Sequence, residues 1–176
     1  MKTTVYIGTS LDGFIARENG EIDWLEKFAD AEVFGLYNEF IKKIDVSVIG
    51  RGTFEKVLGF PSWPYKMKVF VMTNSIKEVP DTIKNRVTIL SMKPSALLDH
   101  LSGLGFSNAY VDGRKVIQSF LQEDLIDEMI ISKVPVLLGT GIPLFGPLYA
   151  DLSFTHIQTT TFSNGLVSSR YERKRN

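Results

Sequence analysis

Asn108-Ala109-Tyr110-Val111-Asp112-Gly113-Arg114-Lys115-Val116-Ile117-Gln118-Ser119-Phe120-Leu121 holds the transition that sets the fold class. Its first four residues read as a short strand. After Gly113, the apolar residues Val116, Ile117, Phe120 and Leu121 recur at helical spacing and form one buried stripe. A strand that ends at glycine and opens a helix is where α/β proteins put backbone that contacts ligands. The same unit occurs upstream, where Asp45-Val46-Ser47-Val48-Ile49 reads as a strand ending at Gly50. Lys68-Val69-Phe70-Val71-Met72 is a further strand, ending at Thr73-Asn74-Ser75, and Arg86-Val87-Thr88-Ile89-Leu90 another. Pro94 can open a helix because its missing N–H is not needed there; Leu97, Leu98 and Leu101 form the stripe, and Gly103 and Gly105 end it.

Toward the N-terminus, Thr3 to Ile7 is β-branched and aromatic and reads as a strand leading into Gly8-Thr9-Ser10 and an Asp12-Gly13 turn. From Asp30, the residues Val33, Phe34, Tyr37, Phe40, Ile41 and Ile44 are predicted to share one face of an amphipathic helix. Toward the C-terminus, Ile126 to Ser132 reads as a buried strand. Asp151 to Phe162 and Leu166 to Arg173 are long strand candidates joined across Asn164-Gly165, a signal for a type I′ hairpin turn. The alternation followed by a terminal antiparallel hairpin predicts a single α/β domain over residues 1–176, with a mixed, largely parallel sheet flanked by helices.

Composition bounds the function. A chain of 176 residues, 44% hydrophobic, can bury a core without disulfides or a structural metal. The absence of cysteine excludes thiol catalysis, cysteine zinc sites and a disulfide-stapled scaffold, and two histidines are too few for a histidine-rich metal site, so no metal is expected. Lys and Arg number 20 against 20 Asp and Glu, which argues against a general nucleic-acid binder. The basic tail Arg170, Arg173, Lys174, Arg175 contains Glu172 and reads as a solvated terminus. Asp12, Arg17 and Glu18 follow the first apolar stretch too soon for a signal peptide, and no run reaches about 18 apolar residues. A cytoplasmic location away from membranes is expected.

In an open α/β sheet, ligands bind beyond the carboxyl ends of the strands. Four stretches lie there: Thr9-Ser10, Gly50-Arg51-Gly52-Thr53, Thr73-Asn74-Ser75 and Asp112-Gly113-Arg114-Lys115. They offer hydroxyls, a guanidinium, an ammonium and helix N-terminal N–H groups, the equipment for holding phosphates. Each alone is ordinary turn chemistry. Gly139-Thr140-Gly141 begins like a dinucleotide loop, but Leu144 replaces the third glycine and Pro143 disturbs the turn. No P-loop and no Gly-x-Ser-x-Gly occurs. His100 and His156 lie far from paired carboxylates. Asp12, Asp23, Asp30 and Asp112 are candidate proton donors or substrate anchors, each with a turn, cap or surface role as the alternative.

Ser10 to Ala16, Gly50-Arg51-Gly52-Thr53-Phe54-Glu55, Val71 to Ser75, Val111-Asp112-Gly113 and Pro135 to Phe145, in that order and spacing, resemble the dihydrofolate reductase fold family. Within it, the chain is similar to stand-alone proteins like the reductase domain of bacterial riboflavin biosynthesis. The resemblance implies a three-layer dihydrofolate reductase-like fold and an NADPH-dependent reductase acting on a small heterocycle. The nearest named activity is reduction of 5-amino-6-(5-phosphoribosylamino)uracil. It further implies that Ser10, Ile15 and Trp24 lie near the nicotinamide, Arg51 and Thr53 at the pyrophosphate, and Thr73, Asn74 and Ser75 around the adenosine ribose and its 2′-phosphate. Gly113, Arg114, Lys115 and Val116 would close over the pyrophosphate, and Asp112 matches the acidic position facing substrate and ranks first of the four aspartates as the catalytic residue. Relatives commonly pair, so a homodimer is expected.

The chain also departs from the family. Arg114 stands where many relatives carry the second glycine of a pair, and it either adds a phosphate contact or obstructs the loop. No Asp-Asp-Pro follows Gly50. Asp30 and Glu32 lie near the distance from Trp24 at which dihydrofolate reductases place a buried carboxylate, without aligning to it. A dihydrofolate reductase-type activity, a non-catalytic nucleotide binder and a structural protein therefore stand as alternatives.

Overall fold

The computed structural model describes residues 1–76 and 78–175. In chain order the elements are β1 (Lys2–Thr9), β2 (Phe14–Ala16), α1 (Asp23–Glu26), α2 (Ala31–Ile41), β3 (Val46–Gly50), α3 (Arg51–Leu58), β4 (Lys68–Met72), β5 (Val87–Leu90), α4 (Pro94–Gly103), β6 (Asn108–Asp112), α5 (Arg114–Gln122), β7 (Glu128–Lys133), β8 (Ile142–Pro143), β9 (Phe154–Thr161) and β10 (Val167–Arg173). A 3-10 turn at Asp81–Ile83 precedes β5. The main sheet has 8 strands in the order β5-β4-β3-β6-β1-β7-β10-β9, and β2 and β8 form a small antiparallel pair. The pairs β5–β4, β4–β3, β3–β6 and β6–β1 are parallel, while β7–β10 and β10–β9 are antiparallel, so the sheet is mixed and mostly parallel as its alternating sequence predicts.

Packing divides the chain into two units, one of Met1–Thr4 with Ile44–Leu125 and one of Val5–Lys43 with the residues from Ile126 onward. In the first unit β3 is buried along its whole length, which explains why it is apolar but for small, buried Ser47: a parallel strand covered on both faces has no solvent side to mark with exposed polar residues. The α5 stripe of Val116, Ile117, Phe120 and Leu121 is buried as its spacing predicts, and Leu97 and Leu101 of α4 are fully enclosed. Lys2 to Thr4 of β1 pair in parallel with Asn108 to Tyr110.

In the second unit, Trp24, Val134, Phe162 and Leu166 form a core, against which Leu25, Phe28, Val33 and Leu36 pack. The ring of Tyr6 stacks on Phe40 at 4.9 Å and meets Tyr37 edge-on at 5.4 Å, so the inner face of α2 runs through Val33, Leu36, Tyr37 and Phe40. Phe34, predicted for that face, is 52% exposed. It sits one residue, about 100° of helix, from Val33 and so on the flank of the stripe.

The predicted type I′ turn is also corrected. Gly165 has φ 87°, but Asn164 is absent from the residues with positive φ, whereas type I′ needs both. The Phe162 N–H donates to the Leu166 carbonyl at 2.9 Å and the Gly165 N–H to the Phe162 carbonyl at 3.0 Å, closing a three-residue loop that ends in a left-handed glycine. The reason lies in the Asn164 side chain, whose Nδ2 donates to the Phe28 carbonyl at 3.0 Å and to Asp30 Oδ2 at 2.8 Å. These bonds tie the Asn164 side chain to the start of α2, and its φ stays negative.

Candidate active site

Two helices of the first unit begin directly where buried strands end. The N-cap of α3 is Gly50 and that of α5 is Gly113, so neither helix has a side chain to accept its first N–H groups. Gly113 is required twice over: its φ is 89°, and a Cβ there would stand 2.4 Å from Thr53 Oγ1 and 3.7 Å from the Gly50 nitrogen. A Cβ on Gly50 would come within 3.1 Å of Val116 Cγ2. The two uncapped N-termini are thus pressed together, with the partial positive charge of each helix end on the same side.

Around them lie the predicted phosphate residues. Arg51 Nη1 donates to Ser75 Oγ at 3.4 Å, and Thr73 Oγ1 accepts the Ser75 N–H at 3.1 Å. Thr53 is half-buried against Gly113, Val116 is buried, and Asn74, Arg114 and Lys115 are exposed. The structure therefore brings Arg51 to Ser75, which Thr73 also holds, and Thr53 to Gly113. Arg114 opens α5 with ordinary negative φ, so only the first position of the relatives' glycine pair needs glycine in this chain.

Asp112 is the last residue of β6, adjoining Gly113, and is half-buried. Burial pushes its carboxyl up to about 6, opposed by hydrogen bonds from the Gly113 N–H and the Tyr110 hydroxyl. Tyr110 lies two residues earlier, on the same face of the strand, and is 6% exposed. We expect Tyr110→Phe to raise the Asp112 midpoint by about 0.7 pH units, the equivalent of one hydrogen bond of about 1 kcal/mol to the ionised form. Carboxyl carbon NMR titration reads this directly, and an unchanged midpoint would remove Tyr110 from the site.

The other candidate aspartates are occupied by the fold. Asp12 accepts from Ser10 Oγ at 2.5 Å, from the Gly139 N–H at 2.8 Å and from the Leu138 N–H at 3.2 Å, and the Ser10 hydroxyl does most to hold its carboxyl below the ordinary range. Asp23 takes both Nε and Nη2 of Arg17, at 2.6 and 2.9 Å, and is likewise held down. Asp30 caps α2 by accepting from the Glu32 and Val33 N–H groups, each at 3.0 Å.

Ser10, Ile15 and Trp24 belong to the second unit. The Ser10 hydroxyl is consumed locally, donating to Asp12 and accepting the Phe14 N–H at 3.0 Å. Ile15 is half-buried in β2, and Trp24 is a core residue, 2% exposed, whose indole N–H has no acceptor among the described residues. This unit also has a cleft of about 410 Å³ beside Thr9, Leu11, Asp12, Lys133, Phe145 and Tyr171. Neither this cleft nor Tyr110 is singled out by the sequence. Tyr110 carries a usable signal, an aromatic two residues before an aspartate on one strand face, whereas the cleft joins segments more than a hundred residues apart. Among the described residues no helix is long and apolar enough to cross a membrane.

Residues 61–168 match the RibD C-terminal domain family. The uncharacterized protein YwjB of Bacillus subtilis strain 168 is 41% identical over 152 residues, which cover 84% of each chain. A crystal structure of a putative riboflavin biosynthesis protein from Shewanella sp. PV-4 superposes with TM-score 0.90 at 40% identity, covering 99% of this chain and 100% of that one. The diaminohydroxyphosphoribosylaminopyrimidine deaminase/5-amino-6-(5-phosphoribosylamino)uracil reductase of Thermotoga maritima shares the fold with TM-score 0.73 at 18% identity, over 98% of this chain and 56% of that one. With its β/α order, its mixed sheet and a family match over more than half its length, the chain belongs to the RibD C-terminal domain family and has the dihydrofolate reductase-like fold of riboflavin-pathway reductase domains.

Proposed function

We propose that this protein is an NADPH-dependent reductase of a small heterocycle, with Asp112 as the acid on the substrate side. The observation that carries this reading is the position of Asp112: it adjoins two uncapped helix N-termini and, alone of the four candidate aspartates, is pushed up toward neutrality. The nearest named activity is the 5-amino-6-(5-phosphoribosylamino)uracil reduction for which the Thermotoga protein is named.

The residues fit a dinucleotide phosphate. The two uncapped helix N-termini meet at Gly113 against Thr53, and Arg51, exposed Arg114 and exposed Lys115 supply positive charge around them. Thr73, Asn74 and Ser75 add hydroxyl and amide donors beside Arg51 for a ribose phosphate. When bound, NADPH supplies the hydride. Asp112 holds a proton in its acid form below about pH 6, and Tyr110 keeps the carboxyl in place. A folate-type acid on α2 is not favoured, because Asp30 is spent as a helix cap and Glu32 is exposed.

Thermal unfolding with NADPH, NADH and FMN tests the pocket, since a ligand at 100 times its Kd adds about 2.7 kcal/mol of stability. A selective rise with NADPH, followed by NADPH oxidation with a pyrimidine substrate, is the expected result; no rise with any nucleotide would overturn it. Arg51→Ala should weaken NADPH binding by roughly 1.5–3 kcal/mol, the loss of a charge-assisted bond. Calorimetry showing unchanged affinity would take Arg51 out of the phosphate site.

We also infer a homodimer. Leu11, Phe145 and Val167 around the cleft of the second unit are 51%, 49% and 36% exposed, and β9 is an edge strand. Light scattering at micromolar concentration should give twice the 19.8 kDa chain mass, and the monomer mass would sink the idea.

A further inference from the structure

The first unit has a second cleft, of about 380 Å³, lined by Trp63, Tyr65, Lys66, Lys68, Asn85 and Arg86. Lys68 begins β4 and Arg86 immediately precedes β5, so the cleft lies at the amino ends of these parallel strands. Thr73 and Ser75 follow the carboxyl end of β4. The strand rise separates the two ends by about 13 Å, so the cleft is distinct from the proposed phosphate site and does not depend on it.

Its lining carries three cations and no carboxylate. Lys68 Nζ donates to the Asn85 carbonyl at 3.4 Å, which orders it without neutralising it. Lys66 and Arg86 form no ion pair among the described residues, although Arg17, Lys42, Lys84, Arg170 and Arg175 all do. Guarding the exposed edge at β5 accounts for Arg86 but not for Lys68, whose strand is interior. Beside the cations stand two rings, Trp63 and Tyr65, with centroids 5.4 Å apart, and the Trp63 ring is braced edge-on by Phe54 at 6.3 Å. The Trp63 indole N–H is buried and has no acceptor among the described residues. Positive charge beside a flat aromatic surface points to a ligand with an anionic group and a ring.

We propose that this cleft binds a phosphorylated heterocycle of mononucleotide size, its phosphate on Lys66, Lys68 and Arg86 and its ring against half-buried Trp63, which the buried Tyr65 ring backs. The volume is near the lower end of small-molecule sites, about 300–1,000 Å³, and suits a mononucleotide better than a dinucleotide.

The protein has two tryptophans, Trp24 and Trp63, so its two indole N–H resonances can be told apart with Trp63→Phe. Titration of the full chain with UMP should move the Trp63 resonance saturably, with uridine and inorganic phosphate each at least about tenfold weaker. Arg86→Gln should weaken UMP about tenfold through loss of a charge-assisted bond, and Arg51→Ala should leave it unchanged. A still Trp63 resonance, an equal response to inorganic phosphate, or loss of the response in Arg51→Ala would overturn the proposal. The last outcome would place the nucleotide at the other end of the strands. The same spectra report whether each variant is folded.

Discussion

Replacing Asp112 by asparagine should give a protein that is harder to unfold and unable to turn over. The carboxyl sits near 6 in the fold against 3.8 for the free side chain, so the native state binds its proton more tightly than the unfolded chain does. For an acid shifted upward the folded state is penalised wherever the group is ionised: the cost grows as pH rises from about 4 through 6 and is then constant. That shift corresponds to about 3 kcal/mol. Asparagine never ionises, but its amide replaces a charged acceptor for the Gly113 N–H and the Tyr110 hydroxyl, so a net gain of about 1–3 kcal/mol above pH 7 is expected. In a chain of this size each kcal/mol raises Tm by about 2–4 °C. The gain should vanish below about pH 4. Turnover should fall by about 10²–10⁴-fold, the usual worth of a general acid, with NADPH affinity retained. Melting curves at pH 8 and pH 4 and an NADPH oxidation assay check both halves. Equal melting temperatures at pH 8 would mean that Asp112 is not buried at a cost, and full turnover would transfer the acid role elsewhere.

Gly113→Ala should be among the most damaging single substitutions in the first unit. The backbone at φ 89° costs a side chain about 1–3 kcal/mol, and the new Cβ would lie 2.4 Å from Thr53 Oγ1. Relief means turning the Thr53 side chain or moving the start of α5, on top of the dihedral cost, so we expect a loss of about 2–4 kcal/mol and weaker stabilisation by NADPH. Adding Thr53→Ala removes the steric part but leaves the dihedral cost. The double variant should therefore recover part of the stability in urea unfolding. A Gly113→Ala protein with wild-type stability would show that the helix starts are not in such close contact.

Much of this architecture is legible in the residues, and the parts that are not share one cause. The α5 stripe and the buried β3 run are local patterns, and Val116, Ile117, Phe120 and Leu121 are all buried as their spacing predicts. The glycines at 50 and 113 likewise mark strand-to-helix junctions by chemistry confined to a few residues. Asp112 is ranked first among the four aspartates through the family resemblance, while the local pattern does not show what surrounds each of them. Asp12 and Asp112 each precede a glycine, yet Asp12 meets the N–H groups of Leu138 and Gly139, 126 and 127 residues away, while the hydrogen bonds to Asp112 come from its neighbours Gly113 and Tyr110 and its burial from packing of β6 between other strands. The turn at Asn164 is misread for the same reason, since its controlling partners, Phe28 and Asp30, come from the other end of the chain. Elements of two to four residues, such as β2, β8 and α1, are too short to show a period.

The Asn164 contacts bear on how the protein can be engineered. A three-residue hairpin tip with Ser163 and Gly165 exposed looks like a natural place for an epitope tag, a split point or a circular permutation. Yet Asn164 grips Asp30, the carboxylate that caps α2, and the Phe28 carbonyl just before it. An insertion there would loosen the start of a helix more than 130 positions away in the chain, and Tyr37 and Phe40, which pack on Tyr6, are carried by that helix. Tolerance to insertion follows what a loop holds rather than how much of it faces water.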